Sequence, residues 1–233
     1  MSKKTHVQII SCGPGLSEIN DKHGYSFNWV TSMIVDKVDS TEVVKIYNGE
    51  FPLCNSDNVW IITGSRYSVY DNIEWIDSFK EIIKKGINLK VPMLGICFGH
   101  QIICDALGSD VAKNGIGWEI GSSEVSLTDD GKSSDLFAGL DDTFSVYQSH
   151  QDVVRDVPSN VKVLAQNQYG VQSVSFDDTV FGVQFHPEFS FKVMKAYYSI
   201  RIKKIKNKEK YFVIDRNDGV KVVDNFINTI LRR

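Results

Sequence analysis

The 233-residue sequence contains no apolar run approaching the roughly 20 residues that a membrane-crossing helix needs, so no span is predicted. Its four cysteines, Cys12, Cys54, Cys97 and Cys104, are scattered and form no C-x-x-C pair. That spacing suggests neither a zinc site nor a disulfide framework, and no metal or organic cofactor is expected. Charge of either sign is not in excess: 26 basic residues face 29 acidic ones, for a net charge of -3. No basic field is available to gather nucleic acid or anionic lipid, and neither is expected as a partner. The sequence also lacks a G-x-x-x-x-G-K-[ST] phosphate loop, an internal repeat and a flexible linker. The opening MSKKTHVQIISCGPG begins with positive charge, but its apolar run is short and interrupted by Gln8. It reads as a first strand rather than a secretory leader, and a cytoplasmic location is the matching expectation.

What is present is ordinary for a soluble globular chain: 42% hydrophobic and 24% charged residues. A single domain spanning 1–233 is expected. THVQIIS, EVVKIYN and NVWIITG are short runs rich in Val and Ile, closed by Ser, Asn or Gly, which is how buried strands read. DNIEWIDSFKEIIKKG sets Ile73, Ile76, Phe79, Ile82 and Ile83 at helical spacing, with Asp71 placed to cap it and Gly86 to stop it. VPMLGI reads as a further strand and FGHQIICDALG as a helix stopped by Gly108. Strand and helix alternate in a way that implies parallel pairing with right-handed crossovers, an α/β architecture. Beyond Gly115, SSEVSL, FSVYQSH, VKVLAQN, VQSVSF and TVFGVQFH add partly antiparallel strands. Phe189–Lys210 reads as a helix ending in the basic RIKKIKNKEK, a solvated face without an aromatic platform. A last helix, DGVKVVDNFINTILRR, is expected to pack Val220, Val223, Ile227 and Ile230 onto the domain.

Chemistry concentrates in two stretches. In VPMLGICFGHQ, Cys97 stands between Gly95 and Gly99 where a strand passes into a helix. Such a turn lifts a side chain clear of the sheet, and flanking glycines remove the Cβ atoms that would clash there. Unpaired N–H groups at the helix start favour a thiolate and can hold an oxyanion. Taken alone, the pattern fits a small buried core cysteine as well as a nucleophile. VFGVQFHPEF supplies what a nucleophile needs: His186 and Glu188, two apart at a strand end, point the same way in extended geometry. Cys97, His186 and Glu188 therefore read as a triad in which the carboxylate holds the imidazole's tautomer. His100 and His150 are weaker candidates for the base, one on the elbow helix and one in a binding loop.

LGICFGHQ and FHPEF together resemble the two signatures of the class I glutamine amidotransferases. The resemblance implies a flavodoxin-like open, mostly parallel sheet with helices on both faces plus additional antiparallel strands. It also implies hydrolysis of a γ-carboxamide through a γ-glutamyl thioester on Cys97. By matching motifs, backbone N–H groups of Gly64 and Phe98 would form the oxyanion hole, Gln101 would contact the glutamyl group, and the backbone of Ser149 and His150 would hold its α-carboxylate. The family's glycine- and proline-rich oxyanion loop is replaced here by Gly64-Ser65-Arg66-Tyr67. VVKIYNGEFP and TGSRYSVYDNIEWI are similar to stand-alone members, including γ-glutamyl peptidases. The expected substrate is a small γ-glutamyl compound, glutamine or a γ-glutamyl peptide such as glutathione or its conjugates. An ammonia-supplying subunit with a synthetase partner is the alternative, and a protein that kept the fold without the chemistry is a third reading.

Overall fold

The structure, a computed structural model, describes residues 5–232. Its sheet begins with β1 (His6–Ser11), which leads through helices α1 (Ser17–His23) and α2 (Ser26–Ile34) to β2 (Ser40–Lys45); a 3-10 turn at Ile46–Asn48 then precedes β3 (Asn58–Ile62). Helix α3 (Glu74–Asn88) leads to β4 (Met93–Ile96), and α4 (Phe98–Ala106) follows after one residue. Then come β5 (Asp110–Lys113), β6 (Glu119–Leu127), the short α5 (Asp129–Lys132), β7 (Thr143–His150), β8 (Asp152–Asp156), β9 (Lys162–Asn167), β10 (Gly170–Phe176) and β11 (Val180–Val183). Helices α6 (Phe191–Arg201) and α7 (Val220–Leu231) close the chain.

Nine strands form one sheet in the order β2-β1-β3-β4-β11-β10-β9-β6-β7, and β5 pairs with β8 apart from it. From β2 to β11 neighbours run parallel; from β11 to β7 they run antiparallel. The expected fold class is therefore present, with the additional strands extending the same sheet. Apolar side chains leave the central strands on both faces, as a doubly covered sheet requires. Val59 and Ile61 of β3 pack with α2 and α7, while Trp60 and Ile62 pack with α3 and α4. A third cluster seats α6 on the antiparallel half through Phe189, Val193 and Met194 against Ile120 and Tyr147. No helix among the described residues is long and apolar enough to cross a membrane.

Four local expectations are corrected. Helix α3 begins at Glu74, and Asp71 accepts the Ser68 N–H instead of capping it. Gly86 does not stop that helix: it lies inside the last turns, where a Cβ would meet Met93 Cε and lie 2.8 Å from Trp60 Cζ3. The chain turns at Lys90, which adopts φ 58°. Helix α6 ends at Arg201, and the basic stretch continues as short 3-10 turns interrupted by the left-handed Asn207. In α7, Val220 is 43% exposed, and Val222 and Phe226 join Val223 and Ile227 in the core. Gly108, at φ 94°, does follow the end of α4 as expected.

Candidate active site

β4 lies between β3 and β11, so the carboxyl ends of these parallel strands open onto one crevice, where open α/β sheets place their ligands. Cys97 occupies the single residue between β4 and α4 with φ 53° and ψ -102°, a conformation that L-residues rarely adopt. Its N–H is anchored on the Val183 carbonyl at 2.8 Å and its carbonyl accepts the Gln101 N–H at 3.0 Å. The flanking glycines are needed for close approach: a Cβ on Gly99 would overlap the Ile62 carbonyl, and one on Gly95 the Gly99 backbone. The other cysteines sit differently. Cys12 and Cys104 are fully buried, and burial pushes both thiols upward.

His186 follows β11 by three residues, with its N–H bonded to the Tyr147 carbonyl. Residues 186–189 form a turn closed by the Phe189 N–H on the His186 carbonyl, not the extended run expected from sequence. The pairing survives because the turn still brings Glu188 Oε1 to 2.8 Å from His186 Nδ1. Phe189 stacks on the imidazole at 4.0 Å between centroids, and Tyr197 stacks on Phe189 in turn. Asn217 Nδ2 donates to the carbonyls of both His186 and Phe189. Burial alone would disfavour the imidazolium, but the Glu188 carboxylate and the Cys97 sulfur outweigh it and raise the ring's pKa to about 10. At neutral pH this arrangement favours the protonated ring beside the Cys97 sulfur.

Gly64, just past β3, lies against both side chains: a Cβ there would lie 3.2 Å from His186 Cε1 and 3.7 Å from Cys97 Cβ. Phe98 opens α4, so its N–H has no carbonyl one turn back within the helix. Its ring is buried against Trp75. Gln101 borders the crevice, but Nε2 is committed to the Asp152 carbonyl and to Gln184 Oε1, both at 2.9 Å, which leaves its Oε1. Ser149 lines the crevice with a buried hydroxyl that has no partner. The His150 ring turns away: Nδ1 meets the Asp152 carbonyl and Nε2 the buried carboxylate of Glu119, each at 3.0 Å. His100 is fully buried under β11, where burial lowers its pKa to about 3 and keeps it neutral. Neither of these two histidines reaches Cys97 as His186 does.

The crevice has two lobes that share Cys97. One is lined by Gly64, His186, Trp29, Phe189 and Tyr197; the other by Gln101, Ser149, His150, Tyr67 and Trp118. Arg66 and Arg201 border both lobes. Phe189, Tyr197, Asn217 and Arg201 went unassigned in the sequence. The stacking of an aromatic directly after H-P-E could have been guessed from the motif; the others arrive from α6 and the segment beyond it.

The sequence profile of the family "Glutamine amidotransferase class-I" matches residues 23–203. The chain belongs to the class I glutamine amidotransferases. As a member, it is an enzyme of the hydrolase and amidotransferase type. It is 28% identical over 218 residues to gamma-glutamyl peptidase 2 of Arabidopsis thaliana, covering 91% of this chain and 87% of that protein. It is 36% identical over 165 residues to a glutamine-hydrolyzing GMP synthase of Petrotoga mobilis, covering 67% of this chain but 30% of the synthase. A solved glutamine amidotransferase from Thermotoga maritima superposes with a TM-score of 0.69 at 20% identity, over 97% of this amidotransferase and 96% of the other. That likeness is one of fold.

Proposed function

We propose that this amidotransferase is a free-standing, Cys97-dependent hydrolase of γ-glutamyl amide bonds. The observation that carries the reading is the Cys97 elbow facing a His186 ring held by Glu188 at 2.8 Å and stacked on Phe189. The Cys97 thiolate attacks the γ-carbonyl, and the N–H groups of Gly64 and Phe98 stabilise the oxyanion that forms. His186, as imidazolium, gives its proton to the leaving amine as the C–N bond breaks, leaving a γ-glutamyl thioester. The neutral imidazole then removes a proton from water, which attacks the thioester. Glutamate departs, and Cys97 returns as thiolate beside a protonated His186. Ser149, the Gln101 Oε1 atom and the backbone at His150 hold the glutamyl group.

End-to-end similarity to a γ-glutamyl peptidase supports a γ-glutamyl peptide as substrate over glutamine. Similarity to the glutaminase part of GMP synthases favours a second reading, in which this chain supplies ammonia to a separate synthetase. Steady-state assays on glutamine, glutathione and a γ-glutamyl dipeptide, without partner or ATP and with Cys97→Ala as blank, separate them. Cys97-dependent glutamate release from the peptides in preference to glutamine is the expected result. Release from glutamine alone supports the subunit reading, and silence on all three refutes the free-standing hydrolase.

A further inference from the structure

The crevice carries two guanidinium groups for which no carboxylate partner exists among the described residues. Arg201, at the end of α6, lies over the Trp118 ring at 4.5 Å and near Tyr197 at 5.8 Å. Its Nε is buried with no acceptor, in a setting where burial opposes its charge. Tyr197 and Cys97 favour its charge only through space, and a desolvated guanidinium without a hydrogen-bonded anion is costly, so this arrangement is suited to an anion that arrives from outside. Arg66 is exposed on the loop after Gly64, near the Tyr67 ring, at the point where this chain departs from the glycine- and proline-rich pattern. The carboxylates that border the crevice are already engaged. Glu188 accepts from His186, and Asp152 accepts from Ser68 and Tyr70.

Resting on the γ-glutamyl hydrolase reading, we infer that the enzyme selects γ-glutamyl compounds whose leaving amine itself carries a carboxylate. Arg66 binds that leaving carboxylate and Arg201 binds the α-carboxylate of the glutamyl group. The division follows from the reaction. The glutamyl half stays on Cys97 as a thioester while the other half departs and water enters, so it needs the rigid partner stacked between aromatic rings. The leaving half must reach solvent, which suits an exposed partner on the rim. A guanidinium can hold a carboxylate through two parallel hydrogen bonds, adding orientation to charge. Glutamine has one carboxylate and leaves Arg66 without a partner.

The test compares γ-glutamylglycine with γ-glutamylglycinamide, which differ only in the terminal carboxylate. In the native protein kcat/KM is expected to favour γ-glutamylglycine by about tenfold or more, the scale of one charge-assisted pair. In Arg66→Gln that ratio falls to near one, and in Arg66→Lys part of it returns. In Arg201→Gln both values fall together and the ratio is kept. Calorimetric titration of the two compounds into Cys97→Ala protein reads the same preference as a ratio of Kd values, with no turnover required. Cys97-dependent hydrolysis without a preference sinks this inference and leaves the hydrolase reading intact. A binding preference without hydrolysis does the reverse. A native ratio below threefold, a ratio that survives Arg66→Gln, or failure of Cys97→Ala protein to bind either compound overturns the assignment.

Discussion

Gly99→Ala tests the close packing on which the Cys97 elbow depends. The added methyl would overlap the Ile62 carbonyl oxygen and lie 2.9 Å from its carbon and 3.0 Å from Ile62 Cβ. Ordinary carbon contacts begin near 3.4 Å, so α4 must retreat from β3 by about 0.5 Å to clear the carbon alone, and by more to clear the oxygen. Neither partner is a flexible side chain that could swing aside; both are backbone or Cβ at the centre of the sheet. Overpacking of this kind costs about 1–3 kcal/mol, or roughly 2–4 °C in Tm for each kcal/mol in a chain of this size. Because Cys97 and the Phe98 N–H ride on the same turn, the displacement also misplaces the proposed nucleophile relative to His186. A misplacement on the order of 1 Å can lower turnover about a hundredfold. Gly115→Ala is the control, since a Cβ there meets nothing within 4 Å. It is expected to change stability by no more than about 0.5–1 kcal/mol. Urea unfolding and glutamate release, measured on both variants, decide the matter. Gly99→Ala protein that unfolds within about 0.5 kcal/mol of the native chain and keeps a third of its rate would refute the packing argument.

Iodoacetamide at neutral pH should label Cys97 first and Cys54 slowly, and should spare Cys12 and Cys104 until the chain unfolds, because burial raises those two thiols and shields them. Peptide mapping over time checks the order, and early labelling at Cys104 would contradict it. His186 has its pKa raised from 6.5 to about 10, so its contribution to stability is complete below about 6.5 and is lost as pH climbs to about 10. Glu188→Gln should make that decline shallower in urea titrations from pH 6 to 10; an unchanged slope would mean that Glu188 does not hold the imidazolium. His150→Leu removes one hydrogen-bond partner from the buried Glu119 carboxylate and should cost about 1.5–3 kcal/mol. Loss below about 1 kcal/mol in urea unfolding would show that Ser123, Asn167 and Gln172 satisfy Glu119 without it.

The sequence was most readable where chemistry depends on neighbours along the chain. Gly95, Cys97 and Gly99 announce a crowded strand-to-helix turn, and His186 with Glu188 announces a paired base, because each set lies within five residues. Glycine was harder to interpret: a glycine that ends a helix and one that lets a helix press against Trp60 look alike in one dimension, which is why Gly86 was misplaced. Helix α7 is legible, but its buried stripe is shifted: in the first turn Val222 and Val223 face the core while Val220 lies on the exposed side. The Tyr197 ring stacked on Phe189 and the Arg201 guanidinium near it depend on α6 folding over the antiparallel strands, a long-range event with no local signature.

The segment from Phe212 to Asp218 is bound into the sheet at several points. The Phe212 carbonyl accepts the Ser122 N–H, the Ile214 carbonyl accepts the Tyr147 hydroxyl, and Asn217 clamps the carbonyls of His186 and Phe189. Proteins emerge from the ribosome in sequence order, so a nascent chain displays Cys97, His186 and Glu188 well before Asn217 exists to fix the loop that aims the imidazole. The full set of contacts that holds the His186 loop thus comes together late in synthesis, after the chain has grown past residue 217.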